Sequence, residues 1–371
     1  MKFDIQREVL LRALRLVSGG VDKKSTGNTD LLSGIFVSVK TGELLLVTTD
    51  QDIEISTKVA LEGEVVPGDF VISFRKLSDI CRAFPDSVLL CFSQEAQKVV
   101  IKSGRSRYSL NVLPATNFPV FVQNESVLSF ALPKKCFRGF IESTCFAVAE
   151  QDVRPYLNGL LLEIKDQKLH AVASDGHRLA MCFIPLALPP EKNGFMRVLV
   201  PKKTVLEWLK VFDGTEGEVL CEIGEKHVSI STGITTVVSR LLEAQFPEYR
   251  RLIPEVGISE VVANRQLLKE AFHRAAALFS DRFRAVRLRL SHSRLVLTAA
   301  TTEQDKVEED LDVMFEGEPF EIVFNIKYLT DCLQAIQGEQ VKFIFSGLNS
   351  SAKLQVADCE DSTYIIMPMK F

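Results

Sequence analysis

The sequence predicts an α+β fold of three tandem domains, each with two helices packed on β-sheet. Three observations predict it: a helical segment that recurs three times, a strand–turn–strand segment that recurs at the same spacing, and a length of 371 residues, too long for one typical core. The helical segments are FRKLSDICRAF (74–84), PKKTVLEWLKVF (201–212) and NIKYLTDCLQAI (325–336). Aligning Lys76, Lys203 and Lys327 gives spacings of 127 and 124 residues. Each is amphipathic: Leu77, Ile80 and Cys81 share a face in the first, Val205, Leu206 and Leu209 in the second, and Leu329, Cys332 and Leu333 in the third.

The second repeat comes earlier in each third. ELLLVTTDQDIEIS (43–56), KLHAVASDGHRLAM (168–181) and RLVLTAATTEQDKV (294–307) align at Asp50, Asp175 and Thr302, with spacings of 125 and 127 residues. A further helix opens each third, at 7–17, 133–144 and 264–277. After each later helix come two strand-like runs, the first being SVLLCFS, EVLCEIG and QVKFIFS and the second KVVIKSG, HVSISTG and AKLQVAD. Each third therefore reads strand, helix, strands, helix, strands, with two helices and roughly eight short strands. The predicted domains are 1–125, 126–255 and 256–371. A period of this size is a domain rather than a solenoid repeat, and equal domains in a row can close into a ring that leaves no sheet edge unpaired.

Composition is that of a globular chain, 46% hydrophobic and 25% charged. No apolar run approaches the roughly 18–20 residues of a membrane span. Met1–Asp4 lacks the charged-then-apolar layout of a signal peptide, so a cytoplasmic location and no membrane partner are expected. The eight cysteines form no C-x-x-C pair and sit near no histidine at ligand spacing. They read as small buried hydrophobes, with no metal or other cofactor implied.

Net charge is −4, which on its face argues against nucleic acid. Its distribution argues otherwise. The six predicted helices hold sixteen Lys or Arg against six Asp or Glu, a net of +10, which leaves −14 for the rest of the chain. Lys and Arg are good helix formers, but Glu is equally good and is scarce here. A positive, helix-lined face inside an acidic shell attracts a phosphate backbone without reading its sequence.

Nothing in the chain reads as catalytic. GGVDKKST (19–26) is superficially like a phosphate loop but carries Lys24 where the second glycine belongs, and no hydrophobic strand precedes it. There is no G-x-S-x-G, H-E-x-x-H or G-x-G-x-x-G. His177, in a turn, is more in keeping with a structural or binding contact, and the acidic run 308–310 has no second carboxylate cluster to complete a metal-dependent nuclease.

QDVRPYLNGLLLE (151–163), ASDGHRLA (173–180), FPEYRRLIP (246–254), SGRSRYSL (103–110), FRAVRL (283–288) and the final YIIMPMKF (364–371) resemble the β subunit of bacterial DNA polymerase III along the whole chain. The resemblance implies a non-catalytic sliding clamp: a head-to-tail homodimer of three-domain protomers, whose ring surrounds double-stranded DNA and confers processivity on the replicative polymerase. It also implies a pocket for short linear motifs rich in Gln, Leu and Phe, borne by that polymerase, the clamp loader and repair or translesion polymerases. The matching pocket positions are Leu157, Ser174, Gly176, His177, Arg178, Leu179, Pro247, Arg251, Leu252, Phe283, Asn325, Tyr328, Ser351, Ile365, Ile366, Met367, Pro368 and Met369. An apolar C-terminus such as IIMPM is a poor solvent-exposed tail unless it packs or lines a groove, and part of Tyr364–Ile366 also reads as a final core strand. DNA contacts carry over to Lys24, Gln151, Tyr156, Lys202 and Lys203. The ring joint carries over to Arg105, Arg107, Tyr108 and Leu110 on one side and Leu278, Glu303, Asp305, Glu308 and Glu309 on the other.

The chain departs from the family's common pattern in four places. Ser174 stands for a frequent Thr, Phe371 for a common Leu, Pro155 for a DNA-touching Tyr, and the loop 26–34 for a Pro-containing stretch. Two rival readings remain at this point: a peptide-binding scaffold that never encircles DNA, and a DNA-processing enzyme.

Overall fold

The structure, a computed structural model, describes residues 1–22, 31–121, 126–188, 195–212, 216–254, 257–279, 284–300, 305–347, 350–357 and 359–369. The described residues contain helices α1 (Arg7–Val17), α2 (Phe74–Ala83), α3 (Lys134–Glu142), α4 (Lys202–Val211), α5 (Arg265–Ala276) and α6 (Ile326–Ala335). The three repeats contribute eight, eight and nine strands in turn among those residues.

Helix positions follow from local chemistry. α1 buries Leu10, Leu11, Ala13, Leu14 and Val17, the stripe a 3.6-residue period prescribes. α5 and α6 each begin at an asparagine that closes a strand: Asn264 accepts from the N–H groups of Gln266 and Leu267, and Asn325 from that of Lys327. α2 ends just before Phe84–Pro85, where proline cannot continue the helix. α4 departs from the expected face. Val205, Trp208 and Val211 are buried, whereas Leu206 is 44% exposed. Spacing by three residues from Val205 selects Trp208, which packs on Phe137 at 5.8 Å and displaces Leu206 to the flank.

The chain forms two compact units, Met1–Phe137 with Leu206–Leu241, and Arg138–Val205 with Leu242–Phe371. The first holds an eight-stranded antiparallel sheet in the order Gly68–Ser73, Gly34–Lys40, Glu43–Thr49, Ile53–Ala60, Thr235–Arg240, His227–Ser231, Glu218–Ile223, Leu128–Pro133. It also holds a four-stranded sheet, Lys2–Gln6, Leu89–Glu95, Lys98–Ser103, Ser106–Asn111. The second holds a nine-stranded sheet in the order Met196–Pro201, Gly159–Lys165, Lys168–Ser174, Arg178–Pro185, Cys359–Ile366, Ala352–Val356, Gln340–Phe345, Ser259–Asn264, Met314–Phe315. Its four-stranded sheet runs Lys306–Asp312, Arg294–Ala300, Ala285–Ser291, Phe320–Asn325.

Each long sheet joins strands of successive repeats edge to edge, four with four in the first and four with five in the second, where the short Met314–Phe315 is the fifth. At the first joint Ile53–Ala60 pairs with Thr235–Arg240, setting Thr57 opposite Thr235 and Ile55 opposite Val237. The two threonine hydroxyls bond at 2.8 Å in a buried position. At the second, Arg178–Pro185 pairs with Cys359–Ile366, setting Cys182 opposite Ser362 and Ala180 opposite Tyr364. Counted from the hairpin closures Glu43↔Ala60 and Lys168↔Pro185, the two joints have the same register. Two equivalent strands, Ser106–Asn111 and Lys306–Asp312, end their sheets, with no strand among the described residues on their outer side.

The cysteine expectation holds for half the set. Cys81, Cys182, Cys221 and Cys332 are buried, Cys91 and Cys145 are intermediate, and Cys136 and Cys359 are exposed. Cys136 lies on the solvent side of α3, whose Phe137, Phe140 and Ile141 point inward; Cys359 opens a strand whose first three residues are exposed.

Candidate functional site

Six of the sequence-marked positions, Ser174, Gly176, His177, Arg178, Tyr328 and Met367, meet around the turn Asp175–Gly176–His177, which joins Lys168–Ser174 to Arg178–Pro185. The Asp175 carboxylate accepts the N–H groups of His177 and Arg178, both at 3.0 Å. Ser174 Oγ accepts from the Gly176 N–H at 3.1 Å and donates to the Arg178 carbonyl at 2.7 Å. These bonds make the turn rigid. Gly176 has φ +88°, a backbone conformation that strains any residue with a Cβ, and the nearest group to a Cβ there would be the flexible Arg154 guanidinium. The exposed His177 ring lies nearly parallel to Tyr328, with centroids 6.2 Å apart.

Arg178 is the hub beneath this turn. It is 7% exposed. It donates to Asp175 at 3.0 Å, to Asp331 at 2.7 Å and to the Phe146 carbonyl at 2.9 Å. Its guanidinium also lies 4.6 Å from the Tyr328 ring centre and 5.1 Å from that of Phe146. Burial would lower its pKa, but Asp331 and Asp175 outweigh that and raise it. Burial likewise pushes the Tyr328 phenol up. Asn325 is the α6 cap, so it acts on the site through the helix start that places Tyr328.

An apolar wall continues from the turn. Leu179 and Ile365 are buried with Leu161, Val172, Leu199, Phe246 and Tyr249, and Tyr156, Met181 and Leu242 pack on the margin. Leu157 is buried. Of the remaining marked positions, Pro247 and Arg251 are exposed, Leu252 is 46% and Met367 42% exposed, and Ser351, Pro368 and Met369 are half-buried. Tyr364, Ile365 and Ile366 are core strand, and exposure begins at Met367. The run beyond is tethered: the Met367 N–H donates to the His177 carbonyl at 2.9 Å and that of Met369 to Val323 at 2.8 Å.

The segment carrying Pro247 to Leu252 is anchored from below by Glu163, which is fully buried. Glu163 accepts from Arg197 at 2.5 Å, from the Tyr249 hydroxyl at 3.1 Å and from Arg250. Burial pushes its carboxyl up, but the two arginines outweigh it and hold it below the usual carboxylate range. Sequence reading assigned no role to Asp175, Asp331, Phe146, Tyr249 or Glu163. All but Phe146 lay within quoted motifs, but, Asp175 apart, their partners are distant in sequence, so no local pattern marked their roles.

The nucleic-acid candidates are distributed differently. Gln151 is exposed at φ +56° beside a loop held by Asp152, which accepts three bonds from Arg154. Those bonds hold the Asp152 carboxyl down at about 2. Val153, at the loop tip, is 95% exposed. Tyr156 meets Phe246 edge-on at 6.3 Å and so belongs to the apolar wall as well. Lys202 donates to the Val148 carbonyl at 3.1 Å, and Lys203 is exposed. The helical charge is partly committed: Arg274 pairs with Glu309 at 2.7 Å, Lys210 with Glu207 at 2.6 Å, Arg7 with Asp86, and Arg265 binds two carbonyls.

On the two open edges, Arg105, Arg107 and Tyr108 are exposed and Leu110 is half-buried; opposite in kind, Asp305 and Glu308 are exposed and Leu278 is half-buried. Glu309 carries the bond to Arg274, which lowers its pKa. Lys24, Phe283 and Glu303 lie outside the described residues, as does 26–30 of the atypical loop.

Three family models match the chain in order. They are the N-terminal, central and C-terminal domains of the DNA polymerase III beta subunit, over residues 1–122, 131–248 and 250–370. The beta sliding clamp of Pseudomonas aeruginosa is 42% identical over 370 residues, and that of Escherichia coli 38% over 372, each with both chains covered in full. Among solved structures, the Pseudomonas aeruginosa clamp bound to griselimycin is similar at TM-score 0.94 and 42% identity, over 100% of both chains. The Thermotoga maritima beta subunit is similar at TM-score 0.89 and 26% identity, over 100% of this chain and 99% of that one.

Proposed function

The chain belongs to the DNA polymerase III beta subunit family, and from that premise we propose that two copies close into a ring that encircles duplex DNA and docks partner proteins by short linear motifs. The family is a processivity factor, not a catalytic subunit, so the role is to hold a replicative polymerase to its template. Topological retention explains how an acidic chain can serve DNA: the ring needs only weak, sequence-independent attraction on its inner surface. Gln151, Lys202, Lys203 and Tyr156 are the described residues we assign to that contact, and Lys24, outside the described residues, joins them on the family resemblance. No helix among the described residues is long and apolar enough to cross a membrane; a cytoplasmic site of action is part of the proposal.

The observation that carries the reading is the pair of open edges. Strand Ser106–Asn111 is the counterpart of Thr235–Arg240 and Cys359–Ile366, and Lys306–Asp312 that of Ile53–Ala60 and Arg178–Pro185. Carrying the shared register to a second copy sets Arg107 opposite Glu308 and Tyr108 opposite Val307. Both edges of both copies are then used, which closes the assembly at two protomers.

Arg107→Glu would place like charges opposite one another at both joints and is expected to weaken the dimer by about tenfold or more. Sedimentation velocity across a dilution series reads this, and adding Glu308→Arg should restore the dimer. An unchanged dimer constant would remove the register argument. Replacing Lys202 and Lys203 with Glu is expected to weaken DNA association and to reduce the slope of log affinity against log salt by roughly 2, since each phosphate contact contributes about 0.9. Wild-type affinity at low salt would show that α4 does not face DNA.

For partner docking, we assign the groove bounded by His177, Tyr328 and Met367 at one end and Leu179, Ile365, Pro247 and Leu252 at the other. Its preformed walls and half-exposed methionines suit a series of related apolar segments.

A further inference from the structure

The sheet face that carries Leu179 and Ile365 continues into a second cleft, of about 420 Å³, within the range of small-ligand sites. Met181, Tyr249 and Pro254 supply its apolar lining, and His170, Arg250 and Lys353 its polar lining. Met181 is two residues along the strand from Leu179, which is roughly 7 Å on the same face. Lys353 stands directly opposite Ile365 in the neighbouring strand. The cleft therefore begins where the apolar wall of the docking groove ends.

Its charge is one-sided. The acids nearby include Glu163 and Glu248, both already engaged, and Asp166, whose action on His170 is opposed by that of Lys168. Glu163 is held by Arg197 and Arg250, and Glu248 lies 3.5 Å from each of the same two arginines. Lys353 has no ion-pair partner among the described residues. Nδ1 of His170 is buried without a hydrogen-bond partner. Glu163 and Glu248 set against Arg197, Arg250 and Lys353 leave one positive charge uncompensated, in a pocket with a hydrophobic rim.

We propose that this cleft is a further subsite of the docking groove, which receives an acidic side chain two or three residues beyond the apolar anchor of a bound partner segment. An extended segment advances about 3.3 Å per residue, so that spacing spans the distance from Leu179 past Met181. Lys353 supplies the counter-charge, and the Met181–Tyr249–Pro254 surface packs the methylene groups of the acidic side chain. The inference rests on the docking groove assigned above.

The test uses the full-length dimer and fluorescein-labelled synthetic peptides that share one Gln-, Leu- and Phe-rich core. They differ in flanks placed on either side: paired Glu, paired Ser, paired Lys or paired Leu. Anisotropy titrations at about 0.1 M salt are expected to show one Glu-flanked peptide binding roughly five- to tenfold tighter than its Ser-flanked counterpart, with the Lys flank weakest. Lys353→Glu, and more mildly Lys353→Ala, should remove the Glu advantage while leaving the Ser-flanked affinity within about twofold. Equal affinities for Glu, Ser and Lys flanks on the wild-type protein would overturn the subsite and leave the groove standing. A Leu flank that binds tighter than Glu would also overturn it, by showing an apolar subsite. Failure of the Ser-flanked core itself to bind would overturn the groove assignment and the subsite together.

Discussion

Arg178→Ala is expected to destabilise the unit Arg138–Val205 with Leu242–Phe371 by about 3–5 kcal/mol, the range for breaking a buried ion pair by removing one partner. The side chain is 7% exposed and satisfies two carboxylates and a carbonyl. Alanine would leave Asp175 without its Nε bond and Asp331 with only the Lys327 ammonium at 3.0 Å. It would also strip the cation from between the Tyr328 and Phe146 rings. The turn that presents His177 and the α6 residues that face it would lose their common anchor, so peptide affinity should fall together with stability. Urea denaturation reads the first effect and calorimetry with a linear-motif peptide the second. Arg178→Lys separates charge from geometry: a point charge cannot hold three acceptors in the guanidinium plane, and it should recover only a minor part of the loss. A stability within about 1 kcal/mol of wild type for the alanine variant would mean that the ion pairs contribute little, as exposed pairs commonly do.

Ending the chain at Ile366 is expected to abolish peptide binding while leaving the dimer intact. The core strand Cys359–Ile366 keeps its pairing with Arg178–Pro185 and with Ala352–Val356 after this change. What is lost is the five residues Met367 to Phe371, including the two backbone bonds that lay Met367 and Met369 beside His177 and Val323. The groove would then be open along one side, and we expect affinity to fall by about 100-fold or more, the loss of two good apolar contacts. Wild-type affinity by calorimetry would sink the groove assignment, and a monomer by sedimentation would show that the C-terminus serves the ring joint instead.

Helix positions were legible because a 3.6-residue apolar period and an asparagine cap are local signals. The predicted helix 7–17 matches α1, the segment 201–212 overruns α4 by one residue at each end, and 133–144 runs past α3 by only a residue or two. Strand pairs within each hairpin were legible for the same reason. The joints between repeats were not: Thr57 and Thr235 meet across 178 residues, and Arg178 and Asp331 across 153. Nothing in either neighbourhood announces the partner. The charge count showed that the helices are basic but not which cations remain available, because Arg7, Arg265 and Arg274 are held by carbonyls or carboxylates that come from elsewhere in the fold. The turn around His177 was visible as a motif, whereas its support by Asp175, Arg178 and Asp331 emerged only with the tertiary contacts.

The central claim is that this acidic chain stays on DNA by enclosing it. The direct measurement is retention of the labelled dimer, placed by its loader on nicked circular plasmid, through gel filtration at about 0.15 M salt, before and after one restriction cut. Enclosure predicts co-elution with the circle and loss from the linear product. Equal retention on both, or equal loss from both, would contradict it.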